Sequence, residues 1–160
     1  MRKTPCSEGS IFLVPLPTGG YARGVVARSS QRILFGYFFG PGFSRAEDVH
    51  LQGLTPDAAI LKARFGDLGL VEGTWKIIGK LIEWDRSQWP MPSFVRRDPL
   101  GRLKPQLVRY SDKDPAQVEA VDVVESGAGL ITDSLFGSGA IEITMAQILQ
   151  CSPQNSSLVK

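Results

Sequence analysis

GSIFLVPLPTGGYARGVVARSSQRILFGYFF, from Gly9 to Phe39, decides the fold. Ile11 to Leu16 is rich in β-formers and ends at Pro17-Thr18-Gly19-Gly20, where paired glycines supply the positive φ of a tight hairpin turn. From Tyr21 to Arg28 the side chains alternate, Tyr21, Arg23, Val25 and Ala27 against Ala22, Gly24 and Val26. The small second set lets another layer approach closely. Ile33 to Phe39 is apolar on both faces, which suits a central strand covered on both sides. Pro15 and Pro17 confine the end of the first strand to an edge or a strand terminus. The expected class is α+β, predominantly antiparallel β: a curled sheet or small SH3-like barrel with one or two short packed helices.

Working outward, Gly40-Pro41-Gly42 is expected to break the sheet. Thr55-Pro56-Asp57 reads as a helix start, with Ala58, Leu61 and Phe65 on one face and Gly66 as its stop. Asp67 to Leu70 reads as a turn, and Thr74 to Gly79 as a strand carrying a core Trp75, extended past a kink by Leu81 to Trp84. Trp89-Pro90-Met91-Pro92 is neither helix nor interior strand. Phe94 to Arg97 and Leu103 to Tyr110 form a hairpin around Asp98-Pro99-Leu100-Gly101. Ser111 to Pro115 reads as a polar loop. Val118 to Glu125 alternates apolar and acidic residues, as a solvated strand or extended segment does. Ala140 to Leu149 fits two periods: Ile141, Ile143 and Met145 alternate, while Ile141, Met145, Ile148 and Leu149 make a helical stripe. β-branching favours a strand leading into a helical turn.

The 160 residues fit one domain, its core about 9–149 and its tails 1–8 and 151–160 loosely ordered. A chain of this size buries about 70% of its unfolded surface. No apolar run approaches the roughly 18 residues of a membrane span, and the run after Met1-Arg2-Lys3 is too short for a signal peptide. A cytoplasmic location is expected. Cys6 and Cys151 read as two free thiols. His50 is the sole histidine, so a Cys/His metal site or a Ser–His–Asp triad has little to draw on. Neither a Walker loop nor a GxGxxG run after a strand is present. Phe136-Gly137-Ser138-Gly139 reads as a turn. These inventories point away from an enzyme and away from any cofactor or metal.

Charge is unevenly placed. Residues 114–142 carry six acids (Asp114, Glu119, Asp122, Glu125, Asp133, Glu142) and no base, while residues 95–113 carry six bases against Asp98 and Asp112. Either this is the footprint of a charged partner, or the two segments neighbour each other and cancel; the second is favoured. Arg96, Arg97 and Arg102 near Phe94 and Tyr110 offer a small β-barrel nucleic-acid surface as the alternative reading. Near-neutral net charge disfavours it. Trp84 and Trp89 flank a charged, proline-rich loop, as anchors for a protein partner or as packing beneath that loop.

The order of these phrases resembles the immunity protein 26 family: Gly9 to Leu16, Gly20 to Gly24, Leu34-Phe35-Gly36, Phe65 to Leu70, Gly73 to Gly79, Phe94 to Asp98 and Gly137 to Glu142, running from about Gly9 to about Leu149. The resemblance implies a mostly β protein of bacterial polymorphic toxin systems, with Trp75 at the position of the family's tryptophan. It also implies a protein that binds and neutralises a cognate toxin by covering its active site or substrate path, with no catalysis of its own. On that reading the acidic residues Glu119, Asp122, Glu125 and Asp133 mimic phosphate towards a basic toxin cleft, with Trp84 and Trp89 as further contacts.

Overall fold

The computed structural model describes residues 6–150. Among the described residues ten strands and two α-helices follow one another: β1 Ser10–Pro15, β2 Tyr21–Ser30, β3 Ile33–Phe43, β4 Leu61–Gly66, α1 Leu68–Glu72, β5 Ile77–Lys80, β6 Phe94–Arg96, β7 Gln106–Ser111, β8 Asp114–Val123, β9 Ile131–Thr132, β10 Leu135–Phe136 and α2 Ser138–Gln150. The strands divide between two sheets, one six-stranded in the order β10-β4-β3-β2-β1-β5, the other four-stranded in the order β8-β7-β6-β9. All pairings are antiparallel except β10 with β4 and β6 with β9. The α+β, predominantly antiparallel expectation holds.

The opening strands behave as their pattern requires. β3 is central, between β2 and β4. It sends Leu34 and Phe38 into one apolar cluster and Phe35, Tyr37 and Phe39 into another. Period-2 alternation along a strand buried on both sides has this effect: each residue feeds one of two cores. The first core lies between the large sheet and α2 and holds Phe12, Val26, Phe65, Trp75, Ile141 and Met145. The second lies between the two sheets and holds Ile11, Val25, Tyr37, Trp89, Phe94 and Val108.

Close approach on the first face is set by glycine. A Cβ on Gly24 would sit 2.3 Å from the Phe12 ring, and one on Gly69 2.8 Å from the Trp75 indole. With both absent, the Phe12 and Trp75 rings stack at 5.4 Å with an interplanar angle of 8°. Trp75 is 1% exposed, core as expected, and its Nε1–H donates to Glu142 Oε2 on α2 at 2.8 Å.

Several local expectations give way, among them the turn at Phe136 to Gly139, where β10 ends and α2 begins. Gly40-Pro41-Gly42 does not end β3, which continues to Phe43 with a register shift and a cis Gly40–Pro41 bond. Residues 55–65 are not a helix: Pro56–Ala58 is a single 3-10 turn without a Thr55 side-chain cap, and Leu61–Gly66 is β4. Leu61 and Phe65 are four apart, a spacing that a helix face and a strand face share. Pairing with β3 breaks the tie and turns Ala63 and Phe65 inward. Asp67 to Leu70 leads into α1 instead of a simple turn, stopped by Gly73 at φ 82°. The strand after Trp75 is only Ile77–Lys80, and Leu81 to Trp84 lies outside it. Ala140 to Leu149 is helical, within α2. Ile141 and Met145 are fully buried while Ile143 is 54% exposed, the opposite of what strand alternation would give. The segment has an apolar sheet face to cover, and a helix presents a continuous stripe to it.

Candidate functional site

The small sheet is held on the large one by buried arginines. Arg28 on β2, with a side chain 3% exposed, donates to Asp112 Oδ1 at 2.8 Å, beyond β7, and to the Trp89 carbonyl at 3.1 Å. That guanidinium holds the Asp112 carboxyl below the usual carboxylate range. Arg64 on β4 donates to the Pro115 carbonyl at 2.7 Å and to Asp133 Oδ1 at 3.3 Å, and its guanidinium lies 3.7 Å from the Tyr110 ring centroid. Asp133 also accepts from Arg96 Nε at 2.6 Å and from the Tyr110 hydroxyl at 2.7 Å. Arg23 on β2 ties the loop after β3 to the sheet, donating to the His50 and Gln52 carbonyls of that loop and to the Gly40 carbonyl of β3. Fixed acceptors make these charges structural.

This geometry sorts the acidic residues. Asp133 has a side chain 6% exposed and is saturated by Arg64, Arg96 and Tyr110, so it is not a surface acid. Glu119, Asp122 and Glu125 are exposed, on β8 or just past its end. Glu119 pairs with Arg109 at 3.3 Å and Glu125 with Lys104 at 2.8 Å. Asp122 has no ion pair among the described residues. The basic and acidic segments therefore do neighbour each other, as the antiparallel β7–β8 pairing requires.

β8 is the edge of the small sheet. Its first residues pack inward, with Pro115 buried; its second half overhangs. Val121 lies opposite Val108, and Val118 opposite Tyr110. The β8 valines thus lie on the face that buries Val108 and Tyr110, and Asp122, opposite Leu107, lies on the other. Valine exposure climbs along the strand, from 39% at Val118 to 44% at Val121 and 65% at Val123.

The two tryptophans separate. Trp89 is 6% exposed in the inter-sheet core, its ring 4.9 Å from Tyr37. It is packing and not a surface anchor. Trp84 is half-buried, donates to Glu8 Oε1 at 3.3 Å and lies 5.6 Å from Trp89. The aromatic half of the nucleic-acid alternative is also in the core, with Phe94 1% and Tyr110 5% exposed; no ring is offered there for base stacking. An open groove of about 200 Å³ on this hairpin is lined by Arg96, Arg97, Asp98, Leu103, Lys104 and Gln106. Its charges are used internally: Arg97 on Thr132 and Gly127, Lys104 on Glu125, and Asp98 on the N–H groups of Leu100, Arg102 and Leu103.

His50 is exposed, edge-on to Phe43 at 5.1 Å. Cys6 is a free thiol that burial, and then Asp67, push up to about 11; Cys151 lies outside the described residues. Burial lifts the Tyr37 hydroxyl to about 12, and that hydroxyl donates to the Pro90 carbonyl. Among the described residues no group of three or more His, Cys, Asp or Glu could hold a metal ion, and no helix is long and apolar enough to cross a membrane.

Sequence reasoning found β8 through its alternation and its acids. It missed Arg28 and Arg64 as clamps, because nothing local marks an arginine whose partners lie 51 to 84 residues away.

Comparison with known families matches residues 7–104 to immunity protein 26, more than half of the chain. The match takes in β1 to β6, α1 and Trp75; β7 to β10 and α2 lie beyond it, as does the Gly137 to Glu142 phrase. Neither the curated proteins nor the solved structures give a match. The stacked Phe12–Trp75 core and the hairpin strands of the large sheet lie within the matched segment, and the chain belongs to the immunity protein 26 family.

Proposed function

We propose that this protein binds a cognate toxin of a polymorphic toxin system and neutralises it by covering the active site or substrate path, without catalysis of its own. The observation that carries the reading is the immunity protein 26 match over residues 7–104. The geometry supports it: the buried arginines Arg23, Arg28 and Arg64 and the buried Asp133 carboxylate are tied down as clamps, and β8 presents exposed acids and valines. An immunity protein must discriminate among toxins, and β8 lies outside the segment matched to the family. The contact set is Glu119, Asp122 and Glu125, with Trp84, half-buried beside Glu8 and Trp89, as a separate candidate. Acids facing a basic cleft speed association more than they deepen affinity.

The test is co-expression with the product of the gene adjacent to its own, followed by binding kinetics on the purified pair. The wild-type chain is expected to restore growth. Glu119→Lys, Asp122→Lys and Glu125→Lys together should slow association by about tenfold and flatten its salt dependence. Unchanged association and salt dependence would remove these acids from the contact. Failure to restore growth, with nucleic acid retained in a steeply salt-dependent way, would replace the reading with nucleic-acid binding.

A further inference from the structure

We infer that the free edge of β8 from Ala120 to Val124 takes up a β-strand of a basic protein partner, extending the small sheet by one strand; this rests on the toxin-binding reading above. The backbone geometry comes first. Val124 N–H donates to the Pro105 carbonyl at 3.0 Å, which makes Pro105 and Val124 a hydrogen-bonded pair of the ladder. Hydrogen-bonded and non-hydrogen-bonded pairs alternate along antiparallel strands. With Gln106 opposite Val123, Leu107 opposite Asp122 and Val108 opposite Val121, the N–H and C=O groups of Val121 and Val123 point away from β7. Among the described residues β8 has no other strand neighbour. Those groups form a template for one more strand.

Side chains choose the occupant. Val118, Val121 and Val123 lie on the face continuous with the inter-sheet core and are 39–65% exposed; an added strand with apolar residues on that side would extend the core over them. Ala120 and Asp122 lie on the opposite face, as does Glu119, which the register shift at Arg109 and Tyr110 bulges out and which reaches Arg109. A strand with Lys or Arg on that side would meet Asp122, which is without an ion pair among the described residues. A second copy of β8 would set acids beside acids, and like charges directly opposite are destabilising. The bulge ends the template on one side and the turn after Val124 ends it on the other, so the added strand is short. Main-chain bonds to an exposed edge with alternate side chains read by pockets are an established mode of peptide capture.

Proline tests the backbone specifically. At an edge position whose N–H faces solvent, proline leaves the ladder intact. Val121→Pro should therefore weaken binding to the adjacent gene's product by about tenfold relative to Val121→Ala, the order of one or two backbone hydrogen bonds, with the melting temperature of the two variants alike. Equal binding by two folded variants overturns the proposal while leaving the immunity reading intact. If Val121→Pro fails to fold, Val123→Pro against Val123→Ala gives the same comparison at the strand end. Amide exchange on the wild-type chain is independent of any variant: on complex formation the Val121 and Val123 amides should slow, and unchanged exchange at both would overturn the proposal. If the adjacent gene's product is not bound at all, the immunity reading fails. The edge is then judged with an octapeptide of alternating valine and lysine, where slowed exchange at Val121 and Val123 supports it and none refutes it.

Discussion

The two faces of the large sheet are built by different means. One face is covered by α2 and closed by rings: Phe12, Phe38, Phe65 and Trp75 lie within 5.4–6.2 Å of one another, over glycines that leave room for them. The other face carries the small sheet, whose seat depends on arginines with partners far along the chain. The first is dispersion and area, tolerant of chemistry and intolerant of shape. The second depends on charges that must be matched atom for atom once buried. In this protein the shape-built face lies mostly within the family match, and the charge-clamped sheet carries the exposed strand β8.

The sharpest break is Trp75→Ala on the ring-built face. It removes the ring stacked on Phe12 and leaves Glu142 without its indole donor, at a cost of about 3–5 kcal/mol in chemical denaturation. Less than 1 kcal/mol would mean that the ring stack does not hold α2 to the sheet. On the other face, Arg64→Met leaves Asp133 to Arg96 and Tyr110. Breaking one partner out of a buried network should cost about 3 kcal/mol, read as a lowered denaturant midpoint. A second expectation separates the faces: near-ultraviolet signals from the Trp75 stack should survive Arg64→Met below its midpoint and be lost in Trp75→Ala.

Gly24→Ala tests shape alone. Its Cβ would fall 2.3 Å from the Phe12 ring, so overpacking should cost about 1–3 kcal/mol. No loss of thermal stability would show that the Phe12–Trp75 stack slides freely. The smallest effect is electrostatic. The Asp112 carboxyl, held low chiefly by its hydrogen bond from Arg28, titrates in the unfolded chain near about 3.9. Its contribution is therefore complete above that value and lost as pH falls through the lower folded pKa. With Asp112 59% exposed, screening keeps the contribution to about 0.5 kcal/mol. Asp112→Asn should accordingly lower the melting temperature slightly at pH 7, with the difference from wild type vanishing in acid. A difference that persists at pH 2 would show that the pair matters by shape and not by charge.

Much of this was legible in residue order. Gly9 to Phe39 announced three strands with a doubly buried third, because two-sided apolar alternation has few other uses. The Asp98 turn and the solvated β8 were legible for the same reason: each is specified within about ten residues. Leu61 to Gly66 and Ala140 to Leu149 were not, since an apolar pair four apart serves a strand and a helix equally. Only β3 alongside one, and an uncovered sheet face above the other, could choose. Of the candidate contacts, Glu119, Asp122 and Glu125 stand on the surface where alternation put them. Asp133 and Trp89 looked the same in sequence, yet lie inside, because burial depends on what folds over a residue.

By itself, then, the sequence determined a β-rich scaffold, its central strand, its core tryptophan and its acidic strand, all from local spacing and residue type. Tertiary structure alone decided that the strands form two sheets, that Arg28 and Arg64 join them, and that β8 ends up as a free edge with acids on one side and valines on the other. The physical reason is range. Periodicity and turn chemistry act between neighbours in the chain, whereas an ion pair between Arg64 and Asp133, or a strand left without a partner, exists only once distant segments have met.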